Sequence, residues 1–323
     1  MDLLFENIDN ERIGDTGFIN HYAGVNNSML TVKLKPAIRQ ATRLNILKWI
    51  DKTYYDALYS RFDGDTLTND ESAIIDTLQD AIAHYAIAQK MDEGGASLSE
   101  LGLHYRSEET AHNIPQWQFF AAKYDITKKA DLFLETFLSY VYENEDGFTS
   151  FAVNYELFFI ESPKQLTKYL PISASVMLFF NLLPSIRKVS ESDIKTIVSA
   201  TLYNELLTAV RANTELDETK TELVDNIRKY LSLAALFHAI PFLNIDLSDG
   251  KLINVTTNDG YRNRQTARDN QINPILERLR IDIETYKQEL IAFINTNRTD
   301  LGLTEQLFEI DKVVESGHSV GLF

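Results

Sequence analysis

The feature that most limits what this chain can fold into is that its sequence runs twice over one plan. Leu34-Lys35-Pro36-Ala37-Ile38-Arg39 returns as Leu182-Leu183-Pro184-Ser185-Ile186-Arg187. Thr53-Tyr54-Tyr55-Asp56-Ala57-Leu58 returns as Thr201-Leu202-Tyr203-Asn204-Glu205-Leu206 at the same offset. Ile74-Ile75-Asp76-Thr77-Leu78 returns as Leu223-Val224-Asp225-Asn226-Ile227, one residue out of step, and Leu98-Ser99-Glu100 as Leu247-Ser248-Asp249. Matches in one order across roughly 110 residues, at an offset of about 148, mark a tandem duplication. Two like units build surfaces and rings readily, whereas most enzyme sites need asymmetric clusters.

The pattern of apolar residues places helices in each copy. Ile38, Ala41, Ile46, Trp49 and Ile50 recur near helical spacing within a segment opening at Lys35. A short helix follows from Tyr54 to Phe62. Thr68 or Asn69 is placed to cap the next helix, with Glu71 in its first turn and Ile74, Leu78, Ile82, Tyr85 and Ala86 on one face. Gly94-Gly95 ends that helix, and a hairpin or loop holding Leu98, Leu101 and Leu103 precedes a last helix from Asp131 to Tyr142. In the second copy, helices are expected over Glu191–Leu207 and Asp217–Phe242, the latter disturbed near Pro241. Asn244–Gly260 alternates around Asp249-Gly250, a hairpin signal that includes Leu247, Ile253 and Val255. Asn273-Pro274 opens the last helix. Phe148–Ile160, rich in Phe, Val and Tyr, reads as a strand or hairpin. The organisation expected is an N-terminal arm over residues 1–17, a helical unit over 18–142, a linker over 143–165, a second helical unit over 166–294 and a polar tail over 295–323. The fold class is mainly α, with β-hairpin and arm insertions on two helical bundles.

Composition removes several function classes. The chain of 323 residues is long enough for two domains. It holds no cysteine, which removes disulfides, thiolate metal sites and cysteine nucleophiles, and fits a reducing or redox-indifferent setting. Its acidic start, Met1-Asp2-Leu3-Leu4-Phe5-Glu6, is not that of a signal peptide. The longest apolar stretch, Leu231–Leu243, is interrupted by His238 and Pro241 and is too short to span a bilayer. A net charge of −16 repels phosphate, so adhesive nucleic-acid binding is not expected, although a wall along which DNA slides without sticking is compatible with it.

Motifs that resemble chemistry fail on mechanism. Gly317-His318-Ser319-Val320-Gly321 matches a nucleophile elbow, but only Leu322 and Phe323 follow it, and the acid and histidine partners must come later in the chain. His104, Glu108 and His112 are four apart and would share a face on a helix, but Ser107-Glu108-Glu109-Thr110 reads as a loop. Asp63-Gly64-Asp65 and Asp246-Leu247-Ser248-Asp249-Gly250 lack the ligand spacing of calcium loops and read as turns. No phosphate loop or dinucleotide fingerprint is present. No catalytic residue, metal site or cofactor is therefore expected. Interface candidates are the basic cluster Arg262, Arg264 and Arg268, the hairpin residues Leu247, Ile253 and Val255, and the apolar chain end Val320, Leu322 and Phe323. Lys33, Lys35, Arg39 and Arg43 form a second basic patch, with Arg187 and Lys188 at the matching place of the second copy.

A resemblance adds to this. Ala234-Ala235-Leu236-Phe237-His238-Ala239-Ile240-Pro241 runs into Leu243-Asn244-Ile245-Asp246-Leu247-Ser248-Asp249-Gly250, and Leu202-Tyr203-Asn204-Glu205-Leu206 precedes it. In these residues, and in the Leu34-Lys35-Pro36-Ala37-Ile38 opening, the chain resembles a family of proteins from phages and prophages. Their helical core is similar to the head–tail connector, or adaptor, proteins of tailed phages. The likeness covers most of the second unit and, more weakly, the first. It departs at an aromatic-Gln step, which is Trp117-Gln118 in the first unit but Gln265-Thr266 in the second.

The resemblance implies a non-enzymatic virion protein, assembled in the bacterial host cytoplasm. It implies a homo-oligomeric ring joining portal to tail around the DNA channel, with twelve copies expected first and six as the alternative. The partners implied are other copies of the chain, the portal protein, tail or further connector proteins, and DNA passing without sequence-specific binding; no membrane is implied. Other readings are a cytosolic two-repeat helical protein-interaction module, a structural ring of another phage-like particle, and a hydrolase or metal enzyme using Ser319 or the His104, Glu108, His112 set.

Overall fold

A helix that is apolar on one broad face must bury that face against others, and each half of this chain does so around one long helix. The structure, a computed structural model, describes residues 3–22, 25, 27–64, 66–92, 96–99, 102–105, 116–144, 158–170, 175–240, 245–246, 253–254 and 269–303. The chain divides into two compact units, the first spanning Met1–Glu156 and the second beginning at Leu157, with Ser175–Met177 grouped with the first.

In the first unit the order is α1 (Phe18–His21), α2 (Thr31–Ala41), a wide helical turn (Thr42–Ile46), α3 (Lys52–Asp63), α4 (Asn69–Asp92), β1 (Ala96–Ser99), β2 (Gly102–Tyr105) and α5 (Gln116–Asn144). α4 packs on α2 and α5. Its core joins Leu34 and Ile38 of α2, Ile46 of the turn, Leu78, Ile82 and Ala86 of α4, and Leu134, Phe137 and Leu138 of α5, all fully buried. Burying a side chain of that size stabilises the unit by about 1.5–3 kcal/mol. Thr68 and Glu71 close the start of α4 reciprocally. The Thr68 hydroxyl accepts from the Glu71 N–H at 3.3 Å, and the Glu71 carboxylate accepts from the Thr68 N–H at 2.9 Å. β1 and β2 pair antiparallel, with Ala96 opposite Tyr105 and Ser99 opposite Gly102.

The second unit holds α6 (Pro163–Tyr169), α7 (Val176–Val189), a wide turn (Ser190–Ile194), α8 (Lys195–Val198), α9 (Ala200–Arg211), α10 (Glu218–Ala239), β3 (Ile245–Asp246), β4 (Ile253–Asn254) and α11 (Asp269–Thr296). α10 takes the place of α4 and packs on α11 and α6. Ile245 lies opposite Asn254 and Asp246 opposite Ile253 in the antiparallel β3–β4 pair.

The duplication is visible bond by bond. Both α2 and α7 carry an internal proline, Pro36 and Pro184, which removes a helical N–H donor. Both pass into a five-residue wide turn, at Thr42 and at Ser190, 148 positions apart. Each turn closes with an N–H reaching back five residues: Leu47 to the Thr42 carbonyl at 2.9 Å, and Lys195 to the Ser190 carbonyl. A buried hydroxyl opens each turn. That of Thr42 donates to the Ile38 carbonyl at 2.9 Å, and that of Ser190 pairs with the Tyr203 hydroxyl at 2.9 Å. α3 and α9 begin 148 positions apart, at Lys52 and Ala200, and α4 and α10 begin 149 apart, at Asn69 and Glu218.

A further correspondence lies outside the segments that match in sequence. Leu3, Leu4 and Phe5, followed by Glu6, are buried in the first unit. Phe158, Phe159 and Ile160, followed by Glu161, are buried in the second. Each strip is held by the same position of the long helix. Gln79 Nε2 on α4 donates to the Leu4 carbonyl at 2.6 Å, and Arg228 Nε on α10, 149 positions later, donates to the Phe159 carbonyl at 2.8 Å. Arg228 also pairs with Glu161 at 2.9 Å.

Several expectations are corrected by this arrangement. The stretch 1–17, read as an arm, supplies core through Leu3–Phe5, Ile13 and Thr16. Within the stretch 143–165, read as a linker with a strand, the described residues Phe158–Ile160 are buried and form no strand. Short apolar runs of three residues show no periodicity, so their burial is not visible from pattern alone. Glu191–Leu207 is not one helix: it is divided by the wide turn and by a corner at Ser199. α5 opens at Gln116, ahead of Asp131, and α11 opens at Asp269, ahead of Asn273-Pro274.

Two stability predictions follow from these contacts. Ser199 sits at φ 77° and ψ 149°, a region that favours glycine, and it caps α9 without a side-chain bond. Ser199→Gly is expected to raise stability by about 1 kcal/mol in urea denaturation, and a loss of stability would contradict the strained corner. Arg228→Ala is expected to cost about 1.5–3 kcal/mol, because it removes charged hydrogen bonds to Phe159 and Glu161. Arg228→Gln, which installs the first unit's residue, should cost less. Equal losses for the two variants would show that the shared clamp has no energetic role.

Candidate functional site

Among the described residues the segment Leu30–Ile50 has a charge that opposes that of the whole chain. It contains Lys33, Lys35, Arg39, Arg43 and Lys48 and no acidic residue, in a chain of net charge −16. The apolar face of α2 turns Leu34, Ala37, Ile38 and Ala41 into the core. Lys33, Arg39, Arg43 and Lys48 are left exposed on the other side. Val32 and Leu44 stand among them, 70% and 58% exposed. Lys35 reaches Asp9, and the Lys35 ammonium holds the Asp9 carboxyl below its usual range. Lys48, exposed overall but with its ammonium partly covered, is lowered by that desolvation against the opposing pull of Asp131, and the ammonium lies 4.5 Å from the Trp49 ring centre.

The matching segment of the second unit, Leu178–Val198, carries Arg187, Lys188 and Lys195, of which only Arg187 falls on a basic position of the first, and it adds Glu191 and Asp193. Arg187 pairs with Glu191 at 3.2 Å, and the Asp193 carboxylate accepts from the Tyr230 hydroxyl at 2.7 Å. Burial, with Asp193 beside it, raises the Tyr230 hydroxyl well above its ordinary value. Tyr85 of α4 lies one turn away from the place corresponding to Tyr230, and its hydroxyl donates to Asp131 of α5. Ala81 and Tyr85 in one unit thus become Tyr230 and Ala234 in the other, a large-small pair exchanged across one helical turn.

Two side-chain clusters bear on chemistry. In the second unit Lys188 Nζ lies 2.7 Å from His238 Nε2, and His238 Nδ1 lies 3.1 Å from Ser185 Oγ. An ammonium only donates, so Nε2 offers its lone pair and Nδ1 carries the ring proton. The histidine therefore donates to Ser185 and does not act as a base toward it; the trio ties α7 to α10. In the first unit Asp80 meets two histidines: its carboxylate lies 2.9 Å from His21 Nδ1, and its carbonyl accepts from His84 Nδ1 at 2.7 Å. The His84 ring stacks edgewise on Tyr22 at 4.9 Å and meets Phe133 at 5.2 Å. Burial holds His84 below the usual imidazole value.

Of the interface candidates read from sequence, Ile253 lies on β4, opposite Asp246. Arg262, Arg264, Arg268, Leu247, Val255, Val320, Leu322 and Phe323 lie outside the described residues, as do Glu108, His112 and Ser319. His104 is on β2 opposite Ser97, a strand position, which removes the helical spacing its metal reading required. Among the described residues no group of three or more His, Cys, Asp or Glu is placed to hold a metal ion. No helix among them is long and apolar enough to cross a membrane. Sequence reasoning missed the Ser185–His238 bond and the Gln79 and Arg228 clamps. Ser185 and His238 are 53 positions apart in the sequence, and the fold brings them together.

The fold defines a mainly helical protein built from two structurally equivalent repeats. The same family model, a family of unknown function (DUF6712), matches residues 43–156 and again residues 194–305. Together the matches cover more than half of the chain, and the protein belongs to that family. Both matches begin within or beside the wide turn, so α2, α7 and the clamped apolar strips extend each repeat upstream of them. No curated protein and no solved structure matches the chain.

The titrating groups predict a pH profile. His84 has a folded value below its unfolded 6.5, so the unfolded chain takes up the proton first, and its contribution is full above that value and lost as pH falls. Glu71, lowered below 4.5 by the Thr68 N–H, likewise contributes stability that is lost as pH falls further. Stability measured against pH should therefore decline first below 6.5, and His84→Gln should flatten that stage while leaving the acid stage. An unchanged profile in the variant would contradict the buried neutral histidine.

Proposed function

We propose that this protein is a non-enzymatic, ring-forming adaptor of a phage-type particle, joining portal to tail around the DNA channel. The observation that carries the reading is the duplication, which extends from sequence to individual hydrogen bonds. A chain made of two like units presents like surfaces twice, which suits assembly with copies of itself. The resemblance to head–tail connector proteins supplies the class of particle. A net charge of −16 suits a lumen that DNA must traverse without sticking.

In this reading the proteins that contact the chain are other copies of itself, the portal, and tail or further connector proteins. It resides in the virion, assembled in the host cytoplasm. The β3–β4 pair with Ile253, the flanking Leu247 and Val255, the Arg262, Arg264 and Arg268 cluster, and the chain end at Val320, Leu322 and Phe323 are the parts proposed to reach neighbours, by strand addition or apolar insertion. Twelve copies with stacked units is the first choice of stoichiometry. Six copies, each contributing two units to a pseudo-twelve-fold ring, is the second.

Negative-stain electron microscopy of the protein, alone and mixed with its cognate portal, tests the reading. Rings, free or seated on the portal, are the expected result, and their symmetry decides between twelve and six. Monomers that ignore the portal would overturn the adaptor and favour a two-repeat module that binds a single partner chain.

A further inference from the structure

The two repeats differ in the charge of one face, and that difference has a consequence for assembly. The face made by α2 and the wide turn after it is basic and partly apolar: Val32 and Arg39 of α2 and Arg43 and Leu44 of the turn are exposed. In the second unit the equivalent of Leu44 is Ser192, and the equivalent of Leu30, Leu178, is buried. Arg187 there is already paired with Glu191. The first unit therefore offers a surface that the second does not repeat.

The second unit carries a surface of opposite sign. At the corner between α9 and α10, Glu215, Asp217, Glu218 and Glu222 are exposed within eight residues. Asp217 is committed to capping α10 through the Lys220 N–H at 2.8 Å, and Lys220 is drawn to Glu205 and Asp217. Glu215, Glu218 and Glu222 remain as an acidic edge at one end of the long helix.

We infer that the basic α2 face of the first unit docks on the acidic α9–α10 corner of the second unit of another copy of this chain. A contact between two different surfaces of one protein is head-to-tail, and repeated head-to-tail contacts close into a ring or continue as a filament. The inference rests on the ring reading for closure alone; the contact itself rests on charge complementarity. Exposed ion pairs contribute little affinity one by one, so the charges orient the encounter and Val32 and Leu44 supply the apolar centre. That centre is what favours a protein surface over nucleic acid. Phosphate is bound by cations without apolar contact, and the surrounding chain of net charge −16 repels it. A membrane surface is disfavoured because the apolar side of α2 is already buried in its own unit.

A charge exchange tests this. Light-scattering mass of the full chain is measured as a function of salt for the wild type, Arg39→Glu/Arg43→Glu and Glu215→Lys/Glu222→Lys, with circular dichroism to show that each is folded. Wild-type association should weaken with salt. Each variant alone should associate about tenfold more weakly or less well still. An equimolar mixture of the two should recover association, because each then offers a face complementary to the other's; misfolding could not produce that recovery. Wild-type assembly that persists unchanged in Arg39→Glu/Arg43→Glu would overturn this surface and leave the ring reading standing. A wild-type chain that stays monomeric would overturn this contact, while mixing with the portal judges the ring separately. Binding of a DNA fragment that is lost in Arg39→Glu/Arg43→Glu would reassign the face to nucleic acid and overturn the copy-to-copy contact.

Discussion

Each unit depends on a single polar side chain that leaves the long central helix and takes hold of a backbone carbonyl in a buried apolar strip. Gln79 does this in the first unit and Arg228 in the second. A buried carbonyl without a donor costs free energy, and a strip of three apolar residues has no regular structure of its own to supply one. The clamp solves both problems. It satisfies the Leu4 or Phe159 carbonyl and lets the flanking side chains fill the core. Glutamine does so with one amide. Arginine does so with a guanidinium that also pairs with Glu161, and so needs a carboxylate to accompany it into a half-buried place.

Around that clamp the two units share a plan and differ in its details. The proline, the wide turn with its five-residue bond, and the hydroxyl that opens it recur at a fixed offset. The tyrosine of the long helix does not. Tyr85 binds Asp131 on α5, and Tyr230 binds Asp193 in the wide turn, because each has moved with its partner. The corner before α3 and its counterpart α9 also differs: Asp51 caps α3 through the Thr53 N–H at 2.7 Å, whereas Ser199 reaches the same corner at positive φ. Cores tolerate such exchanges when volume and pattern are kept, and the duplicated chain has used that tolerance to make its two surfaces unlike. One consequence is the basic face of α2 and its turn, whose counterpart on α7 has Arg187 paired with Glu191.

The sequence makes much of this legible, for physical reasons. Leu78, Ile82, Tyr85 and Ala86, and Leu134, Phe137, Leu138 and Val141, are read onto helix faces by spacing alone, and they are buried. Thr68 with Glu71 is read as a helix start and closes α4. The clamped strips are not legible: three apolar residues give no period, and Gln79 and Arg228 share neither size nor charge, so the duplication hides them. The first half of α5 escapes for a related reason: over residues 121–130 only Ile126, Thr127 and Ala130 are buried, and the others are half-buried or exposed. The basic patch of Lys33, Lys35, Arg39 and Arg43 is visible in the sequence, but its company of exposed Val32 and Leu44 emerges from the fold. Family membership adds that the repeat is a recurring unit, and it leaves the function to be argued from surfaces.

The central claim is that one structural plan, including the clamped strip, is present twice. A crystal structure of the full chain, with unit two superposed on unit one, tests it most directly. The account predicts wide turns at Thr42–Ile46 and Ser190–Ile194, with Gln79 on the Leu4 carbonyl and Arg228 on the Phe159 carbonyl at superposable places. Continuous α-helix through either turn, or a strip lying away from its long helix in one unit, would contradict it.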